Sequence, residues 1–120
     1  MAVTYLFAAI PVADFRLALD WYQRLLGRAP DRFPTADEAV WQLTGSALIY
    51  VVGDRQRAGS ALVTLFVDDF DELLAALPSR DIEVGKLDTM AGNVRRTSLT
   101  DPDGNRISLA ALPEPLDRDS

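Results

Sequence analysis

The amino-acid sequence predicts an α+β domain made of two consecutive βαβββ modules. The first observation is an internal repeat, because IPVADF at residues 10–15 aligns with LFVDDF at residues 65–70 at an offset of 55. The second is that, in each copy, an extended apolar run precedes the aligned Asp and a helical pattern follows it. The length of 120 residues fits a single domain, so both modules belong to one folding unit.

Each module is predicted to contain one helix with recognisable ends. In the first, Asp14 is a good N-cap and Gly27 stands where a helix C-terminus favours glycine. In the second, Asp69 is the N-cap, Glu72 lies three residues later as in a capping box, and Pro78 ends the helix. Apolar residues recur at helical spacing between these ends. They are Ala18, Trp21, Tyr22, Leu25 and Leu26 in the first helix, and Leu73, Leu74 and Leu77 in the second.

Three short extended segments follow each predicted helix. They are residues 28–33, 38–43 and 46–52 in the first module, and residues 82–85, 94–100 and 105–111 in the second. The polar stretch GDRQRAGS is a predicted linker between the modules. The domain then divides into module one at about 4–52, the linker at 53–60, module two at about 61–112 and a flexible tail at 113–120.

Composition and charge restrict the partners that this chain can take. A net charge of −6 argues against nucleic acid, because nucleic-acid binding depends on a basic surface that releases counterions. A cationic or neutral small molecule suits an acidic protein better. The sequence has no Cys, which removes disulfides, thiolate nucleophiles and Cys-metal sites together.

The N-terminus gives no sign of a targeting or membrane segment. It lacks the basic region of a signal peptide, and Pro11 interrupts its apolar run. No other stretch approaches the roughly 20 apolar residues of a membrane span. Together with the absence of Cys, these features predict a cytoplasmic protein that does not contact a membrane.

Three segments in register with the repeat resemble the vicinal oxygen chelate superfamily, which includes glyoxalase I, extradiol dioxygenases and bleomycin-resistance proteins. The segments are VADFRLALDWYQRLLG after the first strand, VDDFDELLAAL early in the second module and DPDGNRISL near the end. The resemblance covers residues 4–112. It implies that eight strands curl around a cleft with the helices on the outer face, and that the chain forms a homodimer.

The resemblance also implies where a divalent metal would bind. Enzymes of the superfamily generally hold the metal through one His, Glu or Gln on each of four strands, and those positions fall here on Phe7, Ile49, Leu62 and Ser108. None of the four supplies the imidazole or carboxylate that such a site needs, and the chain has no His. We therefore expect no metal and no cofactor.

Strand alternation predicts which residues face the cleft. GSALIY at residues 45–50 aligns with GNRISL at residues 104–109 at an offset of 59, which pairs Ile49 with Ser108. If both face the cleft, alternate residues form an aliphatic layer that the helices can cover. The cleft is then mostly apolar with a few polar groups, as a small-molecule pocket requires. The candidate ligand-binding residues are Tyr5, Phe7, Trp41, Ile49, Leu62, Thr64, Phe66, Arg96, Arg106 and Ser108.

Several of these residues have a second, purely structural interpretation. Phe7, Ile49 and Leu62 could fill a collapsed interior rather than line an open pocket. Trp41 could stack on a planar ligand or pack in the core or a dimer interface. The two arginines at 95–96 point to opposite faces of one strand, so that only one can reach the cleft, and solvation is the default for both.

Two functions from different classes fit the sequence. The first is a metal-free protein resembling bleomycin-resistance proteins, which sequesters a small molecule, as in antibiotic resistance. The second is a glyoxalase-like or dioxygenase-like enzyme, that is a lyase, isomerase or oxygenase, acting without the usual metal or with ligands that the sequence does not identify. Without His, a Ser nucleophile has no motif that supplies its base, so no catalytic residue is predicted.

Overall fold

The computed structural model describes residues 1–113. Apart from Pro113, the predicted tail at 113–120 lies outside the described residues. The first module contains β1 (Leu6–Val12), α1 (Phe15–Leu26), β2 (Glu38–Gln42) and β3 (Ala47–Gly53). The second contains β4 (Leu62–Phe66), α2 (Phe70–Ala76), a 3-10 turn at Leu77–Arg80, β5 (Asp88–Met90), a 3-10 turn at Ala91–Asn93, β6 (Val94–Thr100) and β7 (Arg106–Ala111).

The strands form two sheets with the same internal plan. The first has the order β1-β3-β2 and the second β4-β7-β6-β5. In each, the opening strand runs parallel to the last strand of its module, and that last strand pairs antiparallel with the strand before it. This arrangement confirms the predicted α+β class and the duplicated plan, with seven strands in residues 1–113 where eight were predicted.

The segment at residues 28–33 is not a strand, contrary to prediction. It joins β2 through a single bridge between Arg32 and Val40. Pro30 has no N–H to donate to a neighbouring strand. The carboxylate of Asp31 accepts a hydrogen bond from the backbone N–H of Gln42 at 2.7 Å, and a longer ladder between this segment and β2 would have used that donor. The side chain therefore replaces the strand at this edge of the sheet.

The predicted strand at residues 82–85 is also absent, and β5 lies a few residues later. This segment still passes close to β6. A Cβ atom added at Gly85 would approach the carbonyl oxygen of Ser98 to 2.4 Å, so only glycine fits this contact. The chain reaches the sheet here by close backbone approach rather than by a regular ladder.

Both ends of α1 agree with prediction, and α2 begins directly after Asp69 as predicted. Asp14 accepts a hydrogen bond from the backbone N–H of Leu17 at 3.1 Å, and Gly27 adopts φ 74° at the C-terminus. Asp69 precedes α2, but its side chain makes no capping hydrogen bond, so the predicted capping box does not form. The second helix is correspondingly short.

One core lies between the helices and one face of each sheet. Trp21, Tyr22 and Leu25 of α1 belong to the same buried cluster as Phe70 of α2 and the strand residues Ile10, Val51, Ile107 and Leu109. The opposite face of each sheet carries no helix from the described residues. We call it the open face, and large apolar side chains are exposed on it, including Tyr5, Phe7, Leu62 and Phe66.

A buried polar cluster links the two modules. The carboxylate of Asp101 accepts hydrogen bonds from the phenol of Tyr22 and from the side chain of Asn105 at 2.7 and 2.9 Å. The Asn105 side chain also donates to the carbonyl of Pro11 and accepts from the backbone N–H groups of Gly59 and Ala61. These bonds tie β1, α1, the linker and the turn before β7 together.

None of the helices in residues 1–113 is long and apolar enough to cross a membrane. The longest is α1, with 12 residues. This is well short of the roughly 20 residues that a spanning helix needs.

Candidate functional site

A pocket of about 340 Å³ opens on the open face of the first sheet. Such a volume lies at the lower end of the range for small-molecule sites. Apolar and aromatic side chains dominate its lining, and two charged groups stand beside them. The lining residues are Tyr5, Phe7, Asp31, Arg32, Val40, Gln42 and Leu48.

The strand register brings the floor of this pocket together. Phe7 on β1 lies opposite Leu48 on β3, and Leu48 lies opposite Gln42 on β2. Cross-strand neighbours share a face, so these three side chains form one row across the sheet. Val40 occupies the same face two residues before Gln42 and is buried. Phe7 is 45% exposed, which leaves its ring available to a ligand.

One wall of the pocket is a hydrogen-bonded clamp at its outer edge. Arg28 donates from its guanidinium to Asp31 Oδ2 at 3.0 Å and to the carbonyl of Gln42 at 2.6 Å. The bond from the Gln42 N–H, followed by that from Arg28, lowers the pKa of Asp31 below its ordinary range. Asp31 is therefore ionised at neutral pH and already has a cationic partner.

Arg32, the other charged lining residue, is held by its backbone. Its carbonyl accepts the Val40 N–H at 3.0 Å, and its own N–H donates to the Val40 carbonyl at 3.5 Å. Within residues 1–113, its guanidinium takes part in none of the four ion pairs or of the side-chain hydrogen bonds. Among the described residues, Arg32 is therefore a charged lining residue whose side chain has no ion-pair or hydrogen-bond partner.

The open face of the second sheet holds most of the other predicted site residues. The register places Leu62 opposite Arg106, Thr64 opposite Ser108 and Phe66 opposite Ala110, and it places Ser98 and Arg96 on the same face of β6. These residues do not line the pocket described above. The predicted residues thus form two groups, with Tyr5 and Phe7 in the pocket of the first sheet and Leu62, Thr64, Phe66, Arg96, Arg106 and Ser108 on the second sheet.

Ser108 is buried and its hydroxyl is already engaged. The Oγ atoms of Ser98 and Ser108 lie 3.2 Å apart, within hydrogen-bonding distance. Neither hydroxyl hydrogen-bonds to a basic group among the described residues. The pair contributes polarity to the face but lacks the base that activates a serine nucleophile.

The structure corrects two of the predicted site residues, Ile49 and Trp41. Ile49 is only 4% exposed, and Trp41 is fully buried in the core on the helix side of the sheet. The indole N–H of Trp41 donates to the carbonyl of Arg28 at 3.1 Å. This bond from the core side of the sheet holds the backbone of Arg28, the residue whose guanidinium binds Asp31. Neither Trp41 nor Ile49 is available to a ligand in this structure.

The sequence profile described as "Glyoxalase/Bleomycin resistance protein/Dioxygenase superfamily" matches residues 4–109. The chain belongs to this superfamily. A solved structure described as glyoxalase/bleomycin resistance protein from Catenulispora acidiphila DSM 44928 is 42% identical, with a TM-score of 0.85, and the match covers 91% of this chain and 98% of that one. No curated protein matches the sequence.

Two solved structures of lower identity share the fold alone. Lactoylglutathione lyase from Agrobacterium tumefaciens is 13% identical with a TM-score of 0.75, over 88% of this chain and 91% of that one. A bleomycin-binding protein solved in complex with bleomycin is 20% identical with a TM-score of 0.69, over 88% of this chain and 96% of that one. At these identities the likeness shows the fold of the chain and nothing more.

The residues at the superfamily's metal positions do not fit a metal. Phe7 and Leu62 are apolar, Ile49 lies in the core, and Ser108 offers only a hydroxyl that contacts Ser98. In residues 1–113, no group of three or more His, Cys, Asp or Glu side chains could hold an ion. The donor set thus lacks the imidazole and carboxylate groups that Zn²⁺, Fe²⁺ or Ni²⁺ would require.

The strand register also corrects the repeat alignment that placed Ile49. Phe7 pairs with Leu48, whereas its repeat mate Leu62 pairs with Arg106, so the offset on the last strands is 58 rather than 59. The counterpart of Ser108 is then Tyr50, on the open face and 6.3 Å from Phe7 between ring centroids. A phenol at this position does not restore a metal site.

Five lining residues of the pocket were missed from sequence. Leu48 and Val40 belong to strands that are apolar on both faces, so alternation alone does not decide which residues face outward. Asp31 and Arg32 lie in a segment predicted as a regular strand, and Gln42 ends the next one. Pro30 and Pro34 around Asp31 and Arg32 were the available sign that this segment is an irregular wall.

Proposed function

We propose that this chain is a small-molecule binding protein that sequesters its ligand in the pocket on the open face of the first sheet, without a metal. The observation that carries this proposal is the pairing of an exposed aromatic floor with fixed polar groups at one edge. Phe7 and Tyr5 are 45% and 57% exposed, and the Asp31 clamp holds the polar wall. Preformed apolar pockets with a few polar groups are typical of ligand sites.

We also propose that the protein is a homodimer in which a second copy covers the open faces. Leu62 and Phe66 on the second sheet are 78% and 57% exposed, an arrangement that a soluble monomer rarely leaves uncovered. Burial of these side chains against a partner would close the cleft around a ligand. Light scattering at micromolar concentration is expected to give twice the mass of one 13.2 kDa chain, and Leu62→Asp is expected to shift it toward monomer. A monomeric wild type would contradict this part of the proposal.

The binding function is tested with a panel of aromatic small molecules and the purified protein. Binding to the native state raises the unfolding temperature, so a thermal-shift screen followed by calorimetric titration identifies ligands. The variant Phe7→Ala removes the exposed ring from the pocket and is expected to weaken binding of any hit severalfold. Its matched control is Phe33→Ala, because Phe33 is 53% exposed and does not line the pocket.

The two variants separate a specific site from general adsorption to exposed rings. Equal loss of binding in Phe7→Ala and Phe33→Ala would mean that the hit adheres to surface aromatics. A hit whose affinity is unaffected by Phe7→Ala would place the site elsewhere. Either result would overturn the proposed pocket.

A further inference from the structure

The charges lining the pocket do not follow the net charge of the chain. The chain carries −6 overall, which by itself favours a cationic ligand. Only two charged residues line the pocket, and they are not equivalent. Asp31 is paired with Arg28 and with the N–H of Gln42, whereas Arg32 has no such partner among the described residues.

This difference decides which charge a ligand meets. The carboxylate of Asp31 already accepts two short hydrogen bonds on Oδ2, so a cationic ligand would have to compete with Arg28 for it. The guanidinium of Arg32 donates to no group within residues 1–113, and its planar fork suits a carboxylate in a bidentate geometry. Distant surface carboxylates act weakly here, because physiological salt screens charges beyond about 8 Å.

The remaining lining groups define the body of the ligand. Phe7, Val40 and Leu48 provide an apolar floor, and Tyr5 adds a ring with a hydroxyl that can donate. One of the two side-chain N–H donors of Gln42 is used by the carbonyl of Gly45 at 3.2 Å, so this amide is partly engaged before a ligand binds. The volume of about 340 Å³ suits a compact ligand.

From this arrangement we infer that the pocket selects an aromatic carboxylate, with Arg32 binding the carboxylate and the Phe7 floor packing against the ring. The inference rests on the proposed binding function and names the ligand class for the same pocket. Arg32 is well suited to this role because its backbone is fixed by Val40 on both sides. Recognition then needs only the side chain to be ordered.

The test uses three probes that share one ring system, namely 2-naphthoate, 2-naphthamide and 2-naphthylmethylammonium, titrated into the full chain by calorimetry. The carboxylate is expected to bind most tightly and the ammonium most weakly. Arg32→Gln is expected to weaken 2-naphthoate about tenfold, the size of one charge-assisted hydrogen bond, and to leave 2-naphthamide unchanged. Since the Arg32 side chain makes no hydrogen bond or ion pair among residues 1–113, circular dichroism should match that of wild type.

Arg16→Gln is the matched control, because Arg16 is exposed on α1, away from the open face. It makes the same change in net charge and is expected to leave all three affinities unchanged. Arg32→Lys keeps the charge and should retain part of the preference for the carboxylate. If Arg16→Gln and Arg32→Gln lower the affinity for 2-naphthoate equally, the effect comes from net charge alone, and the inference is overturned.

The outcomes distinguish this inference from the proposed function. If 2-naphthamide or the ammonium probe binds as tightly as the carboxylate and Phe7→Ala weakens it, the pocket binds ligands but does not select anions, so only the present inference fails. If no probe binds at millimolar concentration while the wider panel yields a ligand that Phe7→Ala weakens, only the present inference fails; if the panel also yields none, both proposals fail. Tight carboxylate binding that is lost in Arg32→Gln supports both.

Discussion

The phenol oxygen of Tyr22 donates a hydrogen bond of 2.7 Å to Oδ2 of Asp101, a residue 79 positions later in the chain. Both side chains are buried, Tyr22 completely and Asp101 to all but 4%. The bond joins α1 of the first module to the turn before β7 of the second. Removing the bond therefore tests how much this contact between the two modules contributes to the free energy of unfolding.

Tyr22→Phe removes this bond and leaves a buried carboxylate with one donor fewer. We expect the free energy of unfolding to fall by about 2 kcal/mol, within the range for a hydrogen bond to a charged group. Urea denaturation measures the change. Tyr50→Phe is the control, because its hydroxyl makes no hydrogen bond among the described residues, and it should stay within about 0.5 kcal/mol of wild type. Equal effects of the two changes would mean that the Tyr22 bond adds nothing specific.

Alkaline pH should destabilise the protein through the same tyrosine. Burial, and then the charge of Asp101, raises the pKa of Tyr22 well above its ordinary value of 10.0. The unfolded chain releases this proton above about pH 10 while the folded chain keeps it, so stability present below that pH is lost as pH rises, by about 1.4 kcal/mol per unit. Urea midpoints from about pH 8 to about pH 11 should fall less steeply in Tyr22→Phe than in wild type. Parallel curves for the two proteins would exclude this linkage.

The corrected register of β3 predicts different costs at two positions that were both expected to face the cleft. Ile49→Ala should lose about 2–5 kcal/mol, because Ile49 is buried in the core and truncation leaves a cavity. In the single chain, Leu62→Ala should change the free energy of unfolding by no more than about 0.5 kcal/mol, because Leu62 is 78% exposed there. Because the proposed dimer would bury Leu62, the comparison is made at protein concentrations where the chain is monomeric. Urea denaturation of the two variants measures both losses. A larger loss for Leu62→Ala than for Ile49→Ala would mean that Ile49 faces the cleft, as the sequence predicted.

The hydroxyl of Thr97 is buried and has no hydrogen-bond partner among the described residues. An unsatisfied buried hydroxyl costs about 1–3 kcal/mol. Thr97→Val replaces it with a methyl group of similar shape, and we expect the melting temperature to rise by a few degrees. Ser98→Ala on the adjacent position is the contrasting variant, because it removes a hydroxyl that has a partner in Ser108, and it should not stabilise. A lower melting temperature for Thr97→Val would show that its hydroxyl is satisfied in solution.

The donor set at the superfamily's metal positions predicts that the purified protein holds no stoichiometric divalent metal. Elemental analysis after dialysis should find far less than one Zn, Fe, Ni or Mn per chain. Chelator treatment should leave both the melting temperature and any ligand affinity unchanged, since no carboxylate or imidazole cluster exists in residues 1–113 for an ion to stabilise. One tightly held ion per chain would contradict the prediction.

The sequence predicted the features that local chemistry decides. Asp14 and Gly27 bound α1 because a short polar side chain and a residue free to adopt positive φ are needed at those ends. The face of β7 was also predicted correctly, since Ile107 and Leu109 pack in the core. The duplicated plan followed from the aligned segments around the two helices.

What the sequence could not decide depended on contacts between distant segments. In β3 every residue from 47 to 52 is apolar or aromatic, so both faces fit burial and a one-residue error in the repeat alignment moved Ile49 to the wrong face. The pocket wall depends on Asp31 capturing the N–H of Gln42, a bond between residues that are far apart in the local pattern. Alternation along one strand therefore predicted that Phe7 lines the pocket, but it could not predict that Arg32 does.

The side chain of Asn105 gives the chain a second connection between its halves. Its amide bonds Pro11 in the first module, Gly59 in the linker and Ala61 directly after the linker, while Asn105 itself belongs to the second module. The first module has no equivalent residue, because Ala47 occupies the position aligned with Asn105 at the offset of 58 that the strand register gives. The duplication is thus asymmetric, because only the second module has a side chain that makes these connecting hydrogen bonds. A chain cut between Arg55 and Gln56 would keep these bonds, so the two fragments should reassemble when mixed, whereas module one alone would lack the partner that covers its helix.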